Sequence, residues 1–250
     1  MKKLLLLVVC ALTAGAVVNV SAQDIVVRDG RSRTIRGSGK TVTENYELGS
    51  FYGVKSGSGI NVEIGHGSSC GVKVRTDKSA LDYLNITVKN GILSIGYRNN
   101  VSVRNIKTTV YVTMPEVESL DASSGSNIRL MDNFTGSRLT ADVSSAGEIT
   151  GSIDYESVKA SASSGGSLKL SGRATSCNVS ASSGGSVNMS GTHSSKAEVS
   201  ASSGGSVSAY ATESLTGKAS SGGYIRYAGN PRNIDIRTSS GGAVGAIKKS

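Results

Sequence analysis

Val158-Lys159-Ala160-Ser161-Ala162-Ser163-Ser164-Gly165-Gly166-Ser167-Leu168-Lys169-Leu170 is the stretch on which the reading of the chain turns. Apolar residues alternate with polar ones on both sides of a Ser-Ser-Gly-Gly tetrad, the period-two pattern of strands that bury one face. Related tetrads recur as Ser123-Ser124-Gly125-Ser126 and Ser144-Ser145-Ala146-Gly147, then as Ser-Ser-Gly-Gly starting at Ser163, Ser182, Ser202, Ser220 and Ser239. Their first serines are 21, 19, 19, 20, 18 and 19 residues apart. The flanks keep step: Val179 and Ala181, Val187 and Met189, then Val199, Ala201, Val207 and Ala209. A Ser/Gly linker holds neither such a register nor such flanks, so the segment is a repeat architecture.

A helical repeat needs two helices and more than about thirty residues per unit, whereas a unit of this length makes one turn of a β-solenoid. The expected fold is all-β: a right-handed parallel β-helix of about seven coils, 18–21 residues each, over residues 120–250. Strand residues rise about 3.3 Å each, so one coil wraps at most ~60 Å, a slim tube suited to Ala, Val and Leu interiors. The tetrads mark the corner of each coil, where glycine admits positive φ. Their stacked serines are expected to hydrogen-bond along the tube as a ladder of side chains.

Residues 1–22 read as a cleaved signal peptide: Lys2 and Lys3, an apolar run to Val18, and small residues at Val20-Ser21-Ala22. The apolar core is short for a bilayer span, so no transmembrane segment is expected in the mature chain. Export to the periplasm or cell surface follows. Loss of the leader lowers the net charge from +9 to +7. That charge suits a polyanion, but nucleic acid is excluded by the compartment and by the absence of a nucleic-acid-binding motif. Arg28, Arg31, Arg33, Arg36 and Lys40 cluster early, as in a solvated arm or edge strand.

Residues 23–119 form a strand-rich region that caps one end of the tube, continuous with it in a single domain or separate. Its runs look antiparallel: Thr41 to Leu48, Phe51 to Lys55, Ile60 to Ile64, Val72 to Thr76, Leu84 to Lys89 and Thr108 to Met114. Asn90-Gly91 between Ile86-Thr87-Val88 and Ile92-Leu93-Ser94-Ile95 is a two-residue hairpin turn. At the other end, the last coil is expected either to pair with a second molecule or to be blunted by Lys248 and Lys249.

Chemistry is sparse. The coil acids Asp121, Asp132, Asp142, Glu148, Asp154, Glu156, Glu198, Glu213 and Asp235 share no repeat position and nominate no catalytic pair. His66 and His193 read as exposed turn residues, and with Cys70 and Cys177 they make a poor zinc set. No catalytic residue, metal ligand or cofactor is expected; Cys177 reads as a buried free thiol. Tyr210, Tyr224 and Tyr227 in the last coils form a candidate contact patch, since exposed tyrosine stacks on sugars or anchors a protein partner.

The order of Phe51-Tyr52-Gly53-Val54, Gly59-Ile60-Asn61-Val62-Glu63-Ile64, Leu81-Asp82-Tyr83, Asn90-Gly91-Ile92-Leu93-Ser94-Ile95 and Val110-Tyr111-Val112-Thr113-Met114-Pro115, followed by Ser-Gly coils, resembles the autotransporter-adhesin head domain family, the GIN domain. The resemblance runs from about Val42 to the end and implies a β-helical, exported protein with a role in adhesion. Nothing after the last coil resembles an outer-membrane barrel. The expected function is a non-catalytic adhesion or binding module presenting a solenoid surface to a glycan or protein. The alternatives are a cell-envelope protein associating end to end through its C-terminal coil, as a homo-oligomer, and a polysaccharide-active β-helix enzyme.

Overall fold

The computed structural model describes residues 33–247; the leader, its cleavage site, Lys248 and Lys249 lie outside the described residues. The strands are β1 (Arg33–Arg36), β2 (Thr41–Tyr46), β3 (Gly53–Ser56), β4 (Asn61–His66), β5 (Gly71–Asp77), β6 (Leu84–Lys89), β7 (Ile92–Tyr97), β8 (Val101–Arg104), β9 (Thr109–Met114) and β10 (Ser119–Ala122). The long strands β11 (Asn127–Val143), β12 (Glu148–Ala162), β13 (Ser167–Ala181) and β14 (Ser186–Ala201) follow. The chain ends with β15 (Ser206–Tyr210), β16 (Ser214–Ala219), β17 (Tyr224–Ala228), β18 (Asn233–Thr238) and β19 (Ala243–Ala246). One 3₁₀ turn, Lys78–Tyr83, is capped by Asp77.

From β10 onward every pairing is parallel and advances by one coil, with a tetrad at each corner. This is the expected β-solenoid. Irregular spacing has a local cause. The 21-residue coil carries its excess as a register shift between Arg129 and Asn133, and the 20-residue coil between Asn188 and Gly191, opposite Lys169 and Ser171. The shortest coil breaks its strand between Tyr210 and Ser214.

The solenoid begins earlier than the tetrads do. Strands β3 and β4 pair in parallel with β10 and β11, and β7 and β9 pair in parallel with the other side of β3 and β4. Four of the strands read as antiparallel are therefore parallel rungs. Among the described residues only β2–β5, β5–β9 and β6–β7 run antiparallel, the last through the Asn90-Gly91 turn with both residues at positive φ. Without a tetrad, the β3–β4 corner was hidden in Gly57-Ser58-Gly59, which aligns with Ser123-Ser124-Gly125 and has the same positive φ at its second and third residues. One aliphatic file consequently runs the length of the tube: Val110, Val62, Ile128, Ile149, Leu168, Val187, Val207, Ile225 and Val244. The antiparallel strands close the N-terminal end over Ala80, Leu84 and Ile86, all buried. The early basic segment contributes β1, which pairs only with β8 in a separate two-stranded sheet.

Each corner is a two-residue turn of the I′ kind. In Ser182-Ser183-Gly184-Gly185, Ser183 has φ 48° and Gly184 φ 72°, and the Gly185 N–H donates to the Ser182 carbonyl at 2.8 Å. The ladder along the corners is made of backbone, not of the serine hydroxyls expected. The third residue of each corner donates its N–H to the carbonyl of the second serine in the next coil, from Gly59 to Ser124 (2.9 Å), Gly125 to Ser145 (3.0 Å) and onward to Gly222 with Ser240 (3.3 Å). Backbone groups are thereby satisfied by backbone, and the second serine of each tetrad is left exposed.

The two glycines of a tetrad answer different demands. A Cβ on Gly184 would meet nothing within 4 Å, so only its φ matters; Ala146 occupies the equivalent place at φ 59°. A Cβ on Gly185 would lie 2.5 Å from the Ala162 carbonyl oxygen of the preceding coil. Gly184→Ala is therefore expected to cost about 1–2 kcal/mol, the αL penalty, whereas Gly185→Ala must push two coils apart and cost more. Urea unfolding of the two variants checks this ordering; equal losses would refute it. Ser56 supplies a second check, because its buried Oγ has no partner among the described residues. Ser56→Ala should be neutral or stabilising by up to about 1 kcal/mol, since it removes a desolvated hydroxyl that makes no bond.

Candidate functional site

Strand pleating sends alternate residues outward, and parallel register stacks equivalent ones about 4.8 Å apart, so the surface is built of rows. Half a coil from the corner, Asp154, Arg173 and His193 are successive partners in one such row. All three are exposed, and none has a side-chain hydrogen bond or ion pair among the described residues. The His193 ring lies 4.4 Å from that of Tyr210 on the next coil, tilted by 51°. With Thr212 and Ser195 these residues line a groove of about 360 Å³. A carboxylate, a guanidinium, an imidazole and a phenol thus follow one another over four coils, about 15 Å.

The groove's floor is held by buried side chains. Tyr155, between Asp154 and the interior, donates its hydroxyl to the Val117 carbonyl at 2.6 Å. Its ring passes so close to Gly136 that a Cβ there would sit 2.7 Å from Cε1. Burial, reinforced by Glu116, pushes its pKa up to about 12. Ser194 donates to the Tyr210 carbonyl, tying the His193 and Tyr210 coils together.

The three tyrosines singled out in the sequence do not form one patch. Tyr210 belongs to the groove. Tyr224 is 38% exposed beside the corner, with the Arg226 guanidinium 5.5 Å from its ring centroid. Tyr227 packs against the core of the last coils. The groove residues Asp154, Arg173 and His193 were missed because repeat phase alone does not show which outward positions have unpaired heads.

Two expectations about the polar residues need correction. His66 and His193 are strand residues, at the end of β4 and within β14, because the coils remain extended through their bends. Asp121 and Asp142 do share a repeat position, and Glu198 and Asp235 share another with Thr216 between them. Lys55, 2.6 Å from Asp121, and the Ser161 hydroxyl on Asp142 compensate the first pair. Both pairs keep a fixed distance from their tetrads, Asp121 and Asp142 two residues before Ser123 and Ser144, Glu198 and Asp235 four before Ser202 and Ser239, so the shared positions were legible in the sequence.

A larger recess of about 770 Å³ lies at the N-terminal end, beside Tyr46, Leu48, Cys70 and Tyr111. Its sulfur is already engaged: Cys70 Sγ is 3.3 Å from the Phe51 carbonyl oxygen and 3.5 Å from the Phe51 nitrogen. At the far end of β5, Asp77 accepts from Ser38, Gly39 and Ser79, and the Ser79 hydroxyl leads the bonds that hold its carboxyl well below the usual range. Both described cysteines are free. Among the described residues no group of three His, Cys, Asp or Glu side chains is disposed to hold a metal, and no helix is long and apolar enough to cross a membrane.

A family model described as "Putative auto-transporter adhesin, head GIN domain" matches residues 50–231. The chain belongs to this family. The GIN-domain chain is also similar to a putative adhesin from Bacteroides fragilis NCTC 9343, with 18% identity and a TM-score of 0.78 over 85% of this chain and 100% of that one. A putative adhesin from Parabacteroides distasonis ATCC 8503 matches at 19% identity and TM-score 0.69, over 86% and 100% of the two chains. A protein from the same organism described as a putative lipid binding protein matches at 19% identity and TM-score 0.64, with the same coverage. These likenesses establish the shared solenoid fold. No functionally curated protein matches the chain. Membership of an adhesin family implies an exported or surface protein.

Cys177 gives this part of the tube a pH signature. Burial pushes its thiol from the ordinary 9.0 up to about 11, with Ser194 offsetting part of the effect. Below pH 9 both folded and unfolded thiols are protonated. Between pH 9 and 11 only the unfolded thiol ionises, so the folded state binds more protons and stability falls as pH rises. Two pH units correspond to about 3 kcal/mol. Urea midpoints at pH 8 and pH 10.5 should fall further apart for the native chain than for Cys177→Ala. An unchanged difference would place the titration elsewhere, the Tyr155 phenol included.

Proposed function

We propose that this GIN-domain chain is an exported, non-catalytic adhesion module that binds a glycan along the Asp154–Arg173–His193–Tyr210 row. The observation that carries the reading is that row itself: three exposed polar heads without partners among the described residues, beside an aromatic ring, in a groove on a rigid tube. The Tyr210 and His193 rings offer a face to the C–H surface of a sugar. Arg173 presents a planar fork of donors that matches a carboxylate, and Asp154 accepts from hydroxyls. The ligand fitted best is an acidic saccharide, with its negative group at Arg173. The family's adhesin description and the positive net charge support a binding role over a catalytic one.

An array of neutral and acidic glycans probed with the exported chain tests the proposal. Saturable binding to acidic glycans is expected, with at least a tenfold loss in Arg173→Ala, or about 1.4 kcal/mol. Tyr210→Ala should weaken it comparably. Binding that survives Arg173→Ala but is lost in Leu48→Lys would move the site to the N-terminal recess and overturn the assignment. Binding to a protein with no response on the array would overturn the glycan reading.

A further inference from the structure

Among the described residues the β18–β19 coil presents an open edge. β18 pairs only with β16, and β19 only with β17, so each has one unpaired side among the described residues. In a parallel ladder a residue's N–H and C=O point to the same neighbour, and successive residues alternate between neighbours. Asn233, Ser239, Ala243 and Ile247 donate back to Glu213, Ala219, Gly223 and Tyr227 of the coil before. Ile234, Ile236, Val244 and Ala246 therefore direct their backbone groups at the open edge. The same residues end the interior files, with Ile234 stacked on Leu215 and Val244 on Ile225. Leu215 and Ile225 are fully buried, while Ile234 is 50% exposed.

Protected edges carry lysines, prolines within the strand, or bulges. Neither β18 nor β19 contains any of these. Their only charges, Asp235 and Arg237, lie 3.8 Å apart and offset each other. The edge is thus apolar inside, neutral outside and rich in unpaired backbone.

We infer that this edge binds the same edge of a second copy, related by a twofold axis through the Ser239–Gly242 corner. The corner fixes the geometry. β18 runs toward it and β19 away from it, so rotation about that axis lays β18 of one copy antiparallel on β19 of the other, twice over. Inward residues then meet inward residues, Ile234 and Ile236 facing Val244 and Ala246 of the second copy. Outward, Asp235 and Arg237 face Ala243 and Gly245, so no like charges meet. A second copy is the occupant chosen because its terminal coil has, by identity, the same width, bend and pleat, which lets both strands pair and the core close together. This inference is independent of the glycan site, half a coil from the corner on earlier coils.

Sedimentation of the exported chain over a range of concentrations tests it, together with amide hydrogen exchange. The mass is expected to rise from that of one chain to that of two, with the Ile236 and Val244 amides becoming protected as it does. Ile234→Lys, at an exposed position, should keep the circular dichroism of the native chain and abolish the dimer. Ala246→Pro, which removes only an edge-facing donor, should weaken it at least tenfold. A monomer at all concentrations overturns the proposal, and protected edge amides in that monomer would show the chain's own terminal residues on the edge. A dimer indifferent to Ile234→Lys overturns it too. So does open-ended polymerisation, which requires head-to-tail contact.

Discussion

The corner ladder sets the spacing to which everything else conforms. A Gly or Ala N–H reaches the carbonyl of the serine one coil further on, and the fourth residue of each tetrad closes its own turn. Those two bonds need a backbone that bends with two consecutive positive φ values, and from Gly147 onward the fourth residue also approaches the previous coil without a Cβ. Coils held at strand separation then stack equivalent side chains in files, whether Ala122, Val143, Ala162 and Ala181 inside or Asp154, Arg173 and His193 outside. A non-glycine residue at φ near 48° is uncommon and unfavourable. Its repetition at Ser145, Ser164, Ser183, Ser203, Ser221 and Ser240 shows the ladder overriding local preference at every coil.

The interior varies where the corner does not. Near the N-terminal coils it is filled by Phe134, Leu139, Ile153 and Tyr155; toward the end by Ala209, Ala211, Leu215 and Ala219, all buried. Two of the polar side chains inside the tube, unlike Ser56, take a backbone partner. Thr192 Oγ1 donates to the Leu170 carbonyl at 2.9 Å, and Ser194 donates to that of Tyr210. Each offsets the cost of its own desolvation. Because packing is local to neighbouring coils, insertions are absorbed as bulges at Leu130–Asp132 and at Met189–Ser190 while the corner and its flanking files continue undisturbed.

Much of this was legible in the sequence, and the reason is periodicity. Val158, Ala160 and Ala162, with Leu168 and Leu170, declare both the pleat and the corner, and repetition makes the declaration unambiguous. The first two rungs escaped notice because their segments are out of chain order in the stack: β7 and β9 follow β4 in sequence but lie beyond it in space. Gly57-Ser58-Gly59 has the corner's backbone without its letters. The site was less legible still. Tyr210 was visible as an aromatic in a coil of small residues; Asp154, Arg173 and His193 each stand nine residues before a tetrad, so their row was latent in the repeat, but nothing in that phase shows that their heads are unpaired.

A solenoid separates two kinds of recognition by direction. Its sides offer side chains at a fixed interval with their backbone already paired, so a ligand there meets heads, as at Arg173 and His193, and its specificity is set by which residues occupy one file. Its ends offer backbone and the cut faces of the core, as at Ile236 and Val244, and select for anything with the same strand geometry. The N-terminal end is closed by β2, β5 and β6 turning antiparallel, so among the described residues only the β18–β19 edge is open. One open end permits pairing but not propagation. A dimer formed there would carry two identical lateral rows on a single rigid rod, and a multivalent glycan bridging both would gain from effective concentration rather than from any new contact.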